Sequence, residues 1–214
     1  MGMRSWTYAL VAALLGCSHF AAADDWPGPR PFSVFSESGR FFVRFVPGES
    51  IGDTVGFSGA KKGAYAKALL YSLASDRSYK LLQDVTLTNP VTPVSALVSD
   101  QGYFVTFDNW HNFGFGKVVA IYGPSGKLIR GYELTDLYPA QVVQRIPRSM
   151  SSRNWRCQPS HFVEPKEQKS VYVAEVLGGY FVLTLSTGEM AYTAGSRKQC
   201  IAPPGPLSQM VIGN

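Results

Sequence analysis

The sequence predicts a mainly β protein built from antiparallel strands. Short β-branched and aromatic runs with a period of two are separated by clusters of turn residues along most of the chain. The 21 glycines and 14 prolines among 214 residues fit a turn-rich β protein better than a helical one. Because 45% of the residues are hydrophobic and only 16% are charged, we expect one real core and no extensive disorder.

The amino terminus has the pattern of a secretory signal peptide. Arg4 precedes an uninterrupted apolar run over residues 9–15, and small residues at 21–23 stand just before Asp24. The apolar run is too short to span a membrane, which requires about 20 residues, and no later stretch is long enough. We therefore predict a signal peptide over residues 1–23 and no membrane-spanning helix in the mature protein.

A second interpretation of the same region is a lipoprotein signal. Residues 14–17 read Leu-Leu-Gly-Cys, which is similar to the lipobox of bacterial lipoproteins, so residues 1–16 would be removed and Cys17 acylated. Leu15 weakens this pattern, because a smaller residue is usual at its position. Both alternatives export the chain to the periplasm or the extracellular space, and the lipid on Cys17 would be its only membrane contact. A single domain over residues 24–200 and an extended tail over 201–214 would follow.

Export makes the remaining cysteines informative. Either cleavage takes Cys17 out of the pool of free thiols and leaves Cys157 and Cys200 as a pair in an oxidising compartment. A disulfide between them is expected, although two unpaired buried thiols remain the alternative.

The charge of the chain gives only a weak indication of its partners. The formal net charge is +5 and falls by one when the segment containing Arg4 is removed. Basic residues are not clustered with aromatic residues strongly enough to predict nucleic-acid binding, and export argues against it. A protein or glycan partner in the cell envelope fits a mildly basic exported protein better. The sequence does not fix the oligomeric state.

Ten strands are predicted from the alternation. They cover residues 41–46, 66–73, 80–87, 94–98, 103–108, 118–122, 128–134, 171–177, 180–185 and 190–193. Gly and Pro place tight turns at residues 123–126 and 99–102, each between two strands.

A faint internal repeat groups these strands. The four letters Gly-Tyr-Phe-Val occur at residues 102–105 and again at 179–182, and residues 91–134 read as one four-stranded meander. This meander resembles a β-propeller blade; residues 32–87 would form a second blade and residues 162–193 a partial third. Two to three blades are too few for a closed propeller, which needs about four to eight. An open meander or a sandwich is therefore favoured, and closure by oligomerisation is the alternative.

One short helix is predicted over residues 135–147. Pro139 lies near its first turn, Leu137, Val142 and Ile146 would share a face, and Pro147 would end it.

The densest polar segment is the loop within residues 106–117. Asp108, Asn109 and His111 would lie beside Trp110, where they would serve as ligands or as an acid–base pair. The structural interpretation is stronger, because Asp and Asn at a strand end cap turns and aromatic residues cover a sheet edge.

The second notable segment spans residues 145–157. Its four arginines, including Arg148 and Arg153, and the ring of Trp155 would bind an anion or a sugar. The alternative is a solvated connector in which Trp155 packs against the core.

Several chemistries find no support in the sequence. Only two histidines follow residue 23, His111 and His161, and they lack the spacing of metal ligands. No Gly-x-Ser-x-Gly motif is present. We therefore predict no metal and no cofactor, and a protein that is more readily a binding protein than an enzyme.

A set of motifs over residues 94–156 resembles a group of uncharacterised exported bacterial proteins. They are Thr-Phe-Asp-Asn-Trp-His at 106–111, residues 118–128, residues 134–137, Pro-Arg-Ser-Met-Ser-Ser at 147–152, and Trp155. The resemblance implies an exported β-rich bacterial domain in which the loop from Asp108 to His111 and the stretch from Arg148 to Trp155 lie together. It implies no catalytic residue.

Three functional hypotheses follow. The first is a non-catalytic exported protein that binds a partner or has a structural role in the envelope. The second is a periplasmic hydrolase that uses His111 with Asp108. The third is a membrane-tethered structural lipoprotein acylated at Cys17.

Overall fold

The computed structural model describes residues 26–195 and residue 200. The predicted signal peptide, the alternative acylation site Cys17 and the predicted tail at 201–214 lie outside the described residues. In the part of the chain that is described, none of the helices has the length and apolar character needed to cross a membrane.

The described chain folds into three antiparallel sheets of four strands, each formed by consecutive strands. Sheet 1 contains β1 (Phe32–Phe35), β2 (Phe41–Val46), β3 (Lys67–Leu73) and β4 (Tyr79–Thr86). Sheet 2 contains β5 (Pro93–Val98), β6 (Phe104–Asn109), β7 (Val119–Tyr122) and β8 (Leu128–Tyr132). Sheet 3 contains β9 (His161–Phe162), β10 (Ser170–Ala174), β11 (Tyr180–Thr184) and β12 (Met190–Thr193).

These sheets confirm the mainly β fold and its three blade-like units, and all ten predicted strands are present. The third unit is a complete meander instead of a partial one, because the two-residue strand β9 pairs with β10. β1 was also missing from the predicted strands. Both tight turns are present: the N–H of Gly126 donates to Gly123 at 2.9 Å, and that of Gly102 donates to Ser99 at 3.0 Å.

Sheet 2 is the middle layer, and its inner strands β6 and β7 are covered on both faces. One of its faces contributes Leu97, Val105, Phe107 and Ile121 to the core shared with sheet 3. Its other face contributes Val98, Phe104, Ala120 and Tyr122 to the core shared with sheet 1. Because both faces are covered, β6 and β7 are buried along their whole length, which explains their nearly continuous apolar sequence.

The predicted single helix is wrong. Two short helices occupy the region, α1 (Leu134–Leu137) and α2 (Ala140–Val143). The break lies at Tyr138, whose φ of −136° and ψ of 148° are extended. Pro139 causes this break, because the ring of a proline disfavours helical dihedrals in the residue before it.

The first hairpin turns of the three sheets meet at one end of the molecule, which we call the turn end. The side chain of Asp100 accepts hydrogen bonds from the N–H and the hydroxyl of Ser38, at 3.0 and 2.5 Å. Gln168 joins this pair, since its Oε1 accepts from the N–H of Asp100 and its Nε2 donates to Glu37 at 3.2 Å. One buried glutamine from the β9–β10 connection thus joins turns from all three sheets.

The predicted disulfide is present between Cys157 and Cys200, whose Cα atoms lie 4.9 Å apart. The N–H of Cys157 donates to the carbonyl of Ala174 in β10. The disulfide therefore attaches residue 200 beside sheet 3.

Candidate functional site

The candidate site lies at the end of the sheets opposite the turn end, which we call the loop end. Three segments meet there: the β2–β3 connection at residues 47–66, the β6–β7 connection at 110–118, and the segment 144–157 after α2. Asn112 joins them, because its side chain exchanges hydrogen bonds with the backbone of Val55 and donates to Ser151 at 3.2 Å. In addition, the N–H of Arg153 donates to Phe113 at 2.7 Å.

Asp108 has no exposed surface, and among the predicted site residues it shares this complete burial with Trp155. Asp108 is the last residue but one of β6 and lies in the left-handed region, with a φ of 57°, a conformation that Asp tolerates better than most residues. Its Oδ1 accepts from the N–H of Gly114 at 3.0 Å and from Nε1 of Trp155 at 2.7 Å. Its Oδ2 accepts from Nε of Arg156 at 2.8 Å. Both carboxylate oxygens are thus occupied by groups of the protein itself.

Arg156 completes this buried pair and has a second set of partners. Its guanidinium lies over the rings of Phe107 and Phe113, at 4.7 and 5.1 Å from their centroids. It also donates from Nη2 to Ser95 in β5. The arginine therefore fastens segment 144–157 against the middle sheet.

Two opposing influences act on the pKa of the Asp108 carboxyl. Complete burial raises the pKa of its carboxyl, and the adjacent Arg156 charge and the hydrogen bond from Trp155 act in the opposite direction. Burial has the larger effect, so the pKa of Asp108 lies above its ordinary value.

His111 lies in an aromatic cluster and not beside Asp108. Its ring centroid is 4.7 Å from that of Phe57, 5.5 Å from that of Trp110 and 5.9 Å from that of Trp26. We call these four residues the aromatic cluster; each is partly exposed. The buried Nδ1 of His111 has no hydrogen-bond partner among the described residues. The structure therefore places Asp108 and His111 in different surroundings, without a hydrogen bond between Asp108 and Nδ1 of His111.

Trp110 and Asn109 form hydrogen bonds that fix the chain beside the aromatic cluster. Nε1 of Trp110 donates to the carbonyl of Pro27 at 2.9 Å, which fixes the lead-in segment of the chain. Asn109 is buried; its Nδ2 donates to Phe115 at 2.6 Å and its Oδ1 accepts from Asn89 at 2.7 Å. Asn109 thus closes the loop and presents no free amide to solvent.

The arginines of segment 144–157 form the charged part of the loop end. Arg148 and Arg153 face each other across a small backbone bridge, at whose tip Met150 is 99% exposed. Arg153 donates to the carbonyl of Val143 and lies over Phe115. Arg145 and Arg148 are exposed and form no ion pair within the described residues. The absence of Asp and Glu from residues 137–163 leaves this surface positively charged.

The structure thus brings together the two segments that the sequence singled out. Asp108 and Trp155 are in direct contact, and Arg153 contacts Phe113 and Phe115 of the loop that begins at Trp110 and His111. Sequence reasoning missed Arg156 as the partner of Asp108 and missed Phe57 and Trp26 in the aromatic cluster. No local pattern marks any of the three, because their contacts join residues far apart in the chain.

Within residues 26–195 and at residue 200, His, Cys, Asp and Glu side chains nowhere gather in the groups of three that a metal ion would require. Comparison of the chain with models of known protein families gave no match, and comparison with curated proteins gave none either. Function is therefore inferred from the chemistry of the loop end.

Proposed function

We propose that this chain is an exported, non-catalytic binding protein of the cell envelope, and that its loop end binds a negatively charged glycan. One observation carries the proposal: the arginine segment packs, through Arg153, against the loop that carries the partly exposed rings of Trp110 and His111, and among the described residues Arg145 and Arg148 have no carboxylate partner. The same loop contains Asp108, whose two oxygens are fully engaged. This arrangement favours binding over a hydrolase that uses Asp108 with His111, since such an enzyme needs an available carboxylate.

Export is part of the proposal. The Cys157–Cys200 disulfide supports an oxidising compartment, because disulfides persist mainly in exported proteins. The signal pattern over residues 1–23 predicts the same destination, and acylation at Cys17 would add a membrane anchor to it. We also propose membership of the exported bacterial group that the motifs at 106–111 and 147–152 resemble.

The chemistry of the loop end suits an acidic sugar polymer. The apolar faces of Trp110 and Phe57 would pack against sugar rings, while their edges leave room for hydroxyl groups. Arg145 and Arg148 would bind carboxylate or phosphate groups through paired N–H donors. Charge-assisted hydrogen bonds of this kind contribute about 1.5–3 kcal/mol each.

The test is binding of the purified full chain to polygalacturonate, a carboxylated polymer, with neutral dextran as the comparison. We expect binding to polygalacturonate and none to dextran. The double substitution Arg145→Gln and Arg148→Gln should weaken the binding by about tenfold or more. Trp110→Ala should weaken it as well, since a stacking face is lost.

The matched control removes two positive charges elsewhere. Arg77 and Lys127 are exposed and lie in turns far from the loop end, so Arg77→Gln with Lys127→Gln changes the net charge equally. This control should bind within about twofold of the wild type. If both double variants bind polygalacturonate equally weakly, net charge alone explains the binding. If the wild type binds dextran as well as polygalacturonate, the ligand is not an anionic glycan.

A further inference from the structure

The two ends of the three-sheet stack expose apolar faces. On the outer side of sheet 1, the ring of Phe42 stacks on Tyr71 with centroids 4.5 Å apart and meets Tyr79 edge-on at 4.7 Å. Phe35 and Leu81 extend this surface and are 51% and 53% exposed. We call these five residues face 1.

The outer side of sheet 3 is also apolar and aromatic. Tyr172 lies between His161 and Tyr180, with ring centroids 4.9 Å from each. Val182 is opposite Tyr172 and Ala191 is opposite Val182 in the strand register, so both share this side of the sheet. These five residues, which are partly or fully exposed, are called face 3.

The three sheets are joined where their first turns lie. Between sheets, the closest backbone approach is that of β1 and β2 to β5, the first strand of sheet 2. At the turn end, the first hairpins of all three sheets meet through Asp100 and Gln168. Four-stranded antiparallel sheets placed side by side around a central channel are the blades of a propeller.

The number of sheets indicates how many copies of the chain would complete a ring of blades. A ring of blades closes with about four to eight members, so one copy of this chain has too few blades and three copies have too many. Two copies supply six. In that ring, face 1 of each copy would lie against face 3 of the other, and the twofold axis would repeat the contact.

The area of these faces supports the same number. Face 3 is the smaller one, because the strands of sheet 3 have two, five, five and four residues. Strands about 4.8 Å apart, at about 3.4 Å per residue, then present about 260 Å². A single contact limited by this face would bury about 500 Å² in total, within the range of chance crystal contacts. The two contacts of a closed pair would bury about 1,000 Å², which reaches the lower limit for a specific interface. Closure is therefore favoured over an open chain of copies.

From these observations we infer that two copies of this protein associate through face 1 and face 3 into a closed six-bladed ring. The partner of each exposed face is thus a second copy of the same chain. The loop ends lie outside both faces, so this association is independent of glycan binding.

The test is the molar mass of the full chain by light scattering over a range of concentrations. The wild type should have twice the mass of one chain at about 100 µM. Phe42→Glu in face 1 should reduce this to one chain, and Val182→Lys in face 3 should do the same, because every contact uses one face of each kind. Leu81→Glu, at a more exposed position of face 1, should behave like Phe42→Glu.

The double variant separates this ring from other dimers. With Phe42→Glu and Val182→Lys in one chain, opposite charges meet at both contacts, and the doubled mass should return. A dimer formed through two copies of face 1 would be insensitive to Val182→Lys, which would overturn the inference. The control Leu128→Glu changes an exposed leucine of β8 outside both faces and should leave the mass doubled.

Two further outcomes would overturn the inference. A wild type with the mass of a single chain at every concentration would mean that each face is exposed or covered by residues of its own chain. A mass that grows steadily with concentration beyond two copies would mean an open chain of contacts. Circular dichroism of each variant verifies that loss of association is not loss of folding.

Discussion

The ion pair between Asp108 and Arg156 is the interaction on which the loop end depends most at the level of single residues. Both side chains are almost completely buried, so each would be costly without its partner. The desolvated charges are offset by further hydrogen bonds: Gly114 and Trp155 donate to Asp108, and Ser95 accepts from Arg156. The pair therefore serves chiefly to fix where segment 144–157 attaches to β6.

Removal of the charge on Asp108 tests this role. Asp108→Asn keeps the size of the side chain but leaves the Arg156 guanidinium buried without a counter-charge. The free energy of unfolding should fall by about 3–5 kcal/mol, measured by urea denaturation. The control is Asp84→Asn, which breaks the exposed pair with Lys67 and should cost less than about 1 kcal/mol. Similar losses in the two variants would contradict a structural role for the buried pair.

At the level of elements, the β6–β7 connection depends on glycine where it meets the arginine segment. Gly114 has a φ of +77°, and a Cβ atom added there would lie 2.5 Å from the carbonyl oxygen of Arg153. The backbone of residues 148–153 thus packs directly against the loop that carries Trp110 and His111. No larger residue fits between them without separating the two segments.

Gly114→Ala should therefore destabilise the protein through strain and collision together. Gly56 is the matched control: its φ is +93°, but an added Cβ meets nothing within 4 Å. We expect Gly56→Ala to lower the free energy of unfolding by about 1 kcal/mol through backbone strain alone. Gly114→Ala should lower it by about 2 kcal/mol more. If Gly56→Ala and Gly114→Ala lower the free energy of unfolding equally, as measured by thermal or urea denaturation, the two segments separate without cost.

An element can be predicted from the sequence when the pattern that defines it lies within a few consecutive residues. Strands β2 and β12 match the predicted ranges because an alternating pattern bounded by turn residues is complete within a few positions. β9 has only two residues, too few for any period to be visible. The helix prediction placed Pro139 at a first turn, whereas its effect on the preceding Tyr138 divides the segment in two.

The candidate site was predictable in composition but not in pairing. Asp108, Trp110, His111 and Arg148 stand out as polar or aromatic residues in turn-rich segments. That Asp108 pairs with Arg156 depends on how sheets 2 and 3 pack, which alternation within single strands does not encode. The aromatic cluster likewise requires Trp26 to return to the loop end.

At the level of the whole molecule, the three sheets are joined at the turn end through Asp100. Partial burial acts to raise the pKa of this carboxyl, but hydrogen bonds from Ser38 and Ser36 and the charge of Arg40 outweigh it. The pKa of Asp100 is consequently below its ordinary value of 3.8. A carboxylate with a depressed pKa contributes stability above its unfolded pKa, and that contribution is lost as the pH falls through its folded pKa.

Stability should therefore depend on pH through this residue. The difference in the free energy of unfolding between the wild type and Asp100→Asn should be largest near about pH 6 and should shrink toward about pH 2.5. Gln101→Ala is the control, because it removes the hydrogen bond to Glu167 from the same turn without removing a carboxyl group. Gln101→Ala should lower the free energy of unfolding equally at both pH values. If the loss of stability in Asp100→Asn is constant or grows in acid, the pKa of Asp100 is not lowered by folding.

The Cys157–Cys200 disulfide encloses all of sheet 3, since β9 begins at His161 and β12 ends at Thr193. A protease that cuts once within this covalent loop, for example at the exposed residues 163–167, releases no fragment while the disulfide is intact. One cut in the β2–β3 connection, by contrast, divides the chain into two separate polypeptides. A protein with this architecture tolerates a nick in its last sheet but depends on compact loops in its first two.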